Sequence, residues 1–149
     1  MKKQIYEGLK VRVQLVREGS AKEYHKHISC SGDVIEFVGD RLSSMDREYF
    51  LSILMNGRHV PIGVEEVSIG AQNASIICPR ELFRAALLSS AAALILVHNH
   101  PSGHSDPSPE DHKITERIKK SSDLIGIKIL DHIIIGHGNH FSFADEGLI

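Results

Sequence analysis

The sequence predicts one α/β domain, equally describable as α+β, in which a mixed β-sheet carries helices packed on it. Three observations lead there. Two nearly continuous apolar runs, Tyr49–Met55 and Ala91–Val97, suit strands covered on both faces. Segments with a helical apolar period lie beside and between them. The 149 residues are enough to bury one continuous core, and a composition 24% charged and 42% apolar excludes wholesale disorder and a fibrous or low-complexity chain.

Each element has its own signal. Leu9, Val11, Val13 and Leu15 alternate with Lys10, Arg12 and Gln14, which predicts a basic N-terminal strand over 9–16. A polar stretch from Glu18 to Ser31 reads as a loop. Ser31 is expected to cap a helix that places Val34, Ile35, Val38, Leu42 and Met45 on one stripe. The Tyr49–Met55 strand ends at Asn56-Gly57, a tight-turn signal. The following strand, His59 to Ile69, carries Pro61 and Gly63, so its early part reads as an edge or a bulge. Pro79 suits the first turn of a helix over about Arg80–Leu88. The Ala91–Val97 strand runs into a loop from Asn99 to Pro107. Ser108-Pro109 then opens a helix supported by Ile114, Ile118 and Leu124 and ended near Gly126. Ile127–Ile135 is a strand and Phe141–Phe143 a short last one. With no repeat or linker, residues 1–149 read as a single domain with its core from about residue 31 onward.

Charge and cysteines narrow the function classes. Residues 1–26 hold seven Lys/Arg against three acids, a local +4, while residues 27–149 hold ten against sixteen, a local −6. The basic arm points weakly to an anionic partner and more simply to a solvated strand and loop, while the acidic body and the absence of Trp offer no stacking ladder for nucleic acid. Two distant cysteines, Cys30 and Cys78, form no framework of disulfides and fit a reducing, cytoplasmic setting. No secretory leader is expected from the charged start. Nor is membrane attachment, since the longest apolar run, Ala85 to Val97, is short and interrupted by Ser89 and Ser90. Cys78 has no adjacent base, which argues against a cysteine nucleophile.

The informative stretch is His98-Asn99-His100-Pro101-Ser102-Gly103, followed by Ser108-Pro109-Glu110-Asp111. Side chains two apart on an extended chain point the same way, so His98 and His100 can converge. Pro101 and Gly103 turn the chain, and the helix beginning near Pro109 returns Asp111 to its positive end. Two His and one Asp make three ligands for zinc, one per chain, leaving a fourth position for water. Each half of the pattern is weak by itself. His25 and His27 form another HxH pair, read as solvated, and Ser108-x-x-Asp111 also fits a helix cap. The strength lies in the joint spacing. Among the other histidines, His104 and His112 are placed outside the ligand set, and His137 and His140 are assigned no role. Asp131-His132 reads first as a hydrogen-bonded structural pair, with orientation of a metal-bound His as the other reading.

The pattern His98-x-His100-Pro101…Ser108-x-x-Asp111 resembles the JAMM motif of the MPN-type metalloprotease superfamily, which includes zinc deubiquitinases. The stretches HNHPSG, PSPED, LLSSAAALILV and LDHIIIG are similar to its RadC branch, over nearly the whole chain from about Leu9. The resemblance implies an MPN/JAB (cytidine-deaminase-like) fold, zinc held by His98, His100 and Asp111, and a short form without the N-terminal helix-hairpin-helix segment of longer relatives. It also implies an upstream glutamate, for which Glu48 is the match, at the start of the Tyr49–Met55 strand. Glu65 and Glu66 are the rivals, further along the second hairpin strand.

The activity implied is that of a zinc metallopeptidase or isopeptidase, with Glu48 moving the proton and the Ser108 hydroxyl donating to the oxyanion. The partner would be a peptide or protein substrate of unspecified identity. A second reading, a DNA-repair-associated accessory factor, follows from the family's historical label, and the acidic body argues against it. A scaffold that has lost activity is a third, opposed by the complete set Glu48, His98, His100, Ser108 and Asp111.

Overall fold

The structure is a computed structural model that describes residues 11–18, 26–70 and 77–149. Helix α1 opens as an α-turn (Ser31–Val34), widens into a π-helical stretch (Ile35–Gly39) and closes as a second α-turn (Asp40–Ser43). Then come β1 (Tyr49–Met55), β2 (Pro61–Ile69), α2 (Pro79–Leu88), β3 (Ala93–Asn99), α3 (Pro109–Ile125), β4 (Lys128–Ile135) and β5 (His140–Ser142). The five strands form one mixed sheet in the order β2-β1-β3-β4-β5. Only β3 and β4 run parallel, joined by α3, and every other neighbouring pair is antiparallel.

Both faces of the sheet are covered, which is why β3 is buried along its whole length. On one face Val34, Val38 and Leu42 of α1 pack on Leu51, Ile53, Ile95, Val97, Ile133 and Ile135. On the other, Leu82, Phe83 and Ala86 of α2 and Ile114 and Ile118 of α3 pack on Phe50, Leu54, Leu94, Leu96 and Ile129. The apolar stripe expected for α1 is therefore real, although the π-helical stretch shifts its phase and leaves Ile35 and Met45 only partly covered.

Three expectations about local structure change. Residues 11–18 form no strand, and residues 9 and 10 lie outside the described residues. Val11, Val13 and Val16 are 89%, 70% and 73% exposed. Alternation supplies a face, but a strand also needs an edge to pair with, and these residues pair with neither edge strand of the sheet. The hairpin turn is longer than Asn56-Gly57 alone suggests. Asn56 Oδ1 accepts the amides of Arg58 and Val60 at 2.9 and 3.1 Å, and the left-handed residue is His59 (φ 56°) rather than Gly57. The bulge read from Pro61 and Gly63 is present, because Leu54 pairs with Gly63 and Met55 with Pro61, leaving Ile62 over.

The third change is the cap of α1. Cys30, in extended backbone, is the N-cap rather than Ser31. Ser31 Oγ instead donates to Asp145 Oδ2 at 2.6 Å, tying the helix start to the C-terminal turn. The Asp33 carboxylate reaches back to accept Ser29 N (2.8 Å), Ser29 Oγ (2.9 Å) and Cys30 N (3.3 Å). The Ser29 bonds are the main reason its pKa falls from 3.8 to about 2.

A group whose carboxyl is depressed in the folded state stabilises it above the unfolded pKa and loses that effect as pH falls through the folded one. Asp33→Asn is therefore expected to be less stable than the wild type by a constant margin above about pH 4. The margin should shrink as pH falls below about 4 and vanish only below about 2. Urea midpoints measured across that range check it, and a margin unchanged down to the acid limit would contradict it.

Candidate metal centre

The site lies where the C-terminal end of β3 meets the start of β1 and the start of α3. His98 is the penultimate residue of β3 and is fully buried. It pairs with Phe50 on β1 and Ile134 on β4. Its ring stacks on Phe50 with centroids 5.6 Å apart. His100 follows just beyond the strand, its amide donating to Ile135 O at 2.9 Å. The loop then turns back through Gly103, which has a left-handed φ of 87°. A side chain at Gly103 would meet the His137 ring, and one at Gly136 would meet Gly103 O at 2.3 Å. The loop is thus clamped to the β4–β5 turn through backbone, reinforced by His137 N donating to Gly103 O at 3.0 Å.

Ser108 caps α3. Its Oγ accepts Asp111 N at 3.1 Å, and both its amide and its hydroxyl donate to Asp111 Oδ2 at 2.7 Å. This capping box turns Asp111 inward, where it is buried. Asp111 Oδ1 stands 3.2 Å from His98 Nε2, and Oδ2 stands 3.5 Å from His100 Nε2. The two Nε2 atoms are 3.0 Å apart. Ligand atoms of His98, His100 and Asp111 all lie within 4.8 Å of one another, a geometry that could hold a metal ion. Among the described residues it is the one such group of three. Burial opposes ionisation of Asp111, but the neighbouring His100 and His98 imidazoles and the Ser108 hydroxyl outweigh it and hold the carboxyl well below the usual range. The same contact with Asp111 raises the His100 imidazole against the opposing effect of burial.

Glu48 lies beside this group, half-buried. Burial raises its carboxyl, an effect countered by the charges of His98 and His100 and aided by that of Asp111. The rivals lie elsewhere. Glu65 faces Arg84 and Glu81, and Glu66 is paired with Arg41 at 2.8 Å. The remaining histidines fall largely as expected. His27 stacks on His59 at 5.8 Å, and His25 lies outside the described residues. His112 is exposed and meets Phe143 edge-on. His104 contributes its backbone, since its carbonyl oxygen accepts from His100 Nδ1 at 2.9 Å.

Asp131 and His132 are hydrogen-bonded as expected, His132 N donating to Asp131 Oδ1 at 2.7 Å, but their side chains part. A bulge in β4 pairs Leu94 with Ile129 but Ile95 with Asp131, so Leu130 is the extra residue. The bulge shifts the alternation by one. It turns His132 to the α3 face, where Nε2 meets His98 Nδ1 at 2.8 Å and Nδ1 meets Thr115 Oγ1 at 2.6 Å. Asp131 points away and binds the C-terminal segment, accepting Ser142 Oγ at 2.6 Å and Ala144 N at 3.0 Å. His132 is thus the residue in contact with the inner nitrogen of His98, and complete burial pushes its imidazole well down.

Two further residues escape sequence reasoning. Thr115 stands one helical turn after Asp111, and that spacing was its only signal. Asn99 sits between the two histidines. Its Oδ1 accepts Tyr49 N at 2.7 Å and its Nδ2 donates to Arg47 O at 2.9 Å. It therefore grips the backbone on both sides of Glu48, whose own carbonyl accepts Gly70 N at 2.7 Å.

Comparison with known proteins agrees with this geometry. The family model for the RadC-like JAB domain matches residues 28–148. A UPF0758 protein of Desulforamulus reducens is 47% identical over 122 residues, covering 82% of this chain and 54% of that protein. One of Geotalea uraniireducens is 40% identical over 143 residues, covering 95% and 63%. One of Histophilus somni is 48% identical over 113 residues, covering 76% and 51%. The chain spans between half and two thirds of the length of these relatives. No helix among the described residues is long and apolar enough to cross a membrane.

Replacing Asn99 by Ala would leave the Tyr49 amide and the Arg47 carbonyl without their buried partner. The expected cost is about 1–3 kcal/mol, read by denaturant unfolding. His98, His100 and Asp111 would keep their own contacts. A neutral effect on stability would show that Asn99 does not hold the start of β1.

Proposed function

The chain belongs to the RadC-like JAB domain family, and on that premise we propose that it is a zinc-dependent peptidase or isopeptidase acting on a peptide or protein substrate. One observation carries the reading. Two imidazole nitrogens and a carboxylate oxygen converge within 4.8 Å of one another beside a half-buried glutamate that senses their charges. Nitrogen, nitrogen and oxygen donors suit zinc, and three protein ligands leave a position open. His98 Nε2, His100 Nε2 and Asp111 would hold the ion. Bound there, zinc would supply Lewis acidity and lower the pKa of water toward about 7.

The chain's own residues account for the rest. Glu48 takes a proton at its carboxylate as water attacks the amide carbon and returns it to the departing amine. Its burial raises its proton affinity toward the working range of a general base. The Ser108 hydroxyl proton rests on Asp111 Oδ2 and would turn to the developing oxyanion. The lone pairs of Oγ still accept Asp111 N, so the cap of α3 survives the switch. Asp111, tied by Ser108 through Oδ2, keeps Oδ1 toward His98.

Three variants test the reading. Asp111→Ala is expected to lose most of its zinc by metal analysis. Glu48→Gln is expected to retain zinc and fold while hydrolysis of peptide or isopeptide substrates falls about 10²–10⁴-fold. Ser108→Ala should retain zinc and lose about 10²–10³-fold, with some stability lost at the cap. Full zinc in Asp111→Ala, or undiminished hydrolysis by Glu48→Gln, would overturn the assignment.

A further inference from the structure

The protons behind the centre can be counted. Thr115 Oγ1 lies 2.6 Å from Asp111 O and 2.6 Å from His132 Nδ1. A carbonyl oxygen has no proton to give, so Thr115 donates its single hydroxyl proton to Asp111 O and can only accept from His132. His132 Nδ1 therefore carries a proton. A neutral imidazole has one, so Nε2 of this fully buried ring is bare and accepts from His98 Nδ1 at 2.8 Å. His98 Nε2 is then bare in turn, facing Asp111 Oδ1 and His100 Nε2. His100 Nδ1, for its part, can only donate to His104 O.

We propose that Thr115 and His132 are positioning residues that fix the tautomer of His98 from inside the core, leaving its Nε2 lone pair free for a metal ion. The pair acts at a distance from the ion, since Thr115 touches the helix backbone and His132 touches His98. Phe143 stacks on the His132 ring at 5.0 Å and Phe50 lies against it at 5.5 Å, so the ring has no room to turn over. The functional meaning rests on the metal reading above, but the tautomers themselves do not require a metal.

The variant that reverses the relay is Thr115→Val, which keeps the shape and removes the acceptor. His132 Nδ1 would then face a methyl group, and the favoured proton position moves to Nε2. His132 would donate to His98 Nδ1, and His98 would carry its proton on Nε2, pointing at Asp111. Long-range proton–nitrogen correlation spectra of the metal-free protein, recorded above the imidazole titration range, read both rings directly. The expected result is Nδ1–H on both in the wild type and Nε2–H on both in Thr115→Val. Competition with a chelator should show zinc affinity reduced about 10–100-fold in Thr115→Val, with near wild-type affinity restored in Thr115→Ser. A wild-type His98 protonated at Nε2 would overturn the proposal, as would Thr115→Val spectra and affinity identical to the wild type. If the wild type takes up no zinc, the metal reading fails, and the tautomers still decide this inference: Nδ1–H on His98 upholds it and Nε2–H overturns it.

Discussion

A fully buried imidazole at the end of the central strand governs the architecture around it. His98 occupies a position that the pattern of β3 would otherwise give to an aliphatic residue, since Leu94 and Leu96 lie on the same face. A polar ring there is tolerable only if both nitrogens are satisfied. One is met from below by His132 and, through it, by Thr115. The other opens toward Asp111, delivered by the capping of α3, and toward His100, where a metal ion would take it. The capping box, the parallel β3–β4 pairing and the Phe50 stack all converge on this residue.

The topology explains why the site forms at this end of the sheet. β3 is antiparallel to β1 and parallel to β4, so its C-terminal end stands beside the beginning of one and the end of the other. Glu48 enters from the first direction, and the turn after β4 closes over the loop from the second. Asn99 links them, holding the start of β1 with a side chain that belongs to β3. The ligands lie close in sequence along the β3–α3 connection. Their orientation, in contrast, depends on residues from β1 and β4 that are far away along the chain.

That distinction sets what was legible in the sequence. The strands Tyr49–Met55 and Ile127–Ile135, the helix opened by Ser108-Pro109 and the grouping of His98, His100 and Asp111 follow from local period, capping and spacing, and the structure brings them together. The N-terminal strand was misread because the alternation of Val11 and Val13 describes a face, while strand formation depends on a partner. The Asp131-His132 pair was legible as a contact, made through the His132 amide, but not the parting of the two side chains, since successive strand residues point to opposite faces. The π-helical stretch in α1 and the role of Asn99 left no local mark, and Thr115 left only its spacing from Asp111, since they arise from register and packing.

The extra residue in β4 gives that strand a reading frame. Everything after Leu130 is placed by a shift of one, with His132 and Ile134 on the side of α3 and Ile133 and Ile135 on the side of α1. Deleting a single residue between Ile129 and Asp131 would exchange the two sets. An imidazole would then sit among the aliphatic side chains under α1, and an isoleucine would face His98. Few substitutions along this strand could do as much, so length here is constrained more tightly than composition, and the histidines of the site are kept out of the core under α1 by a count of residues.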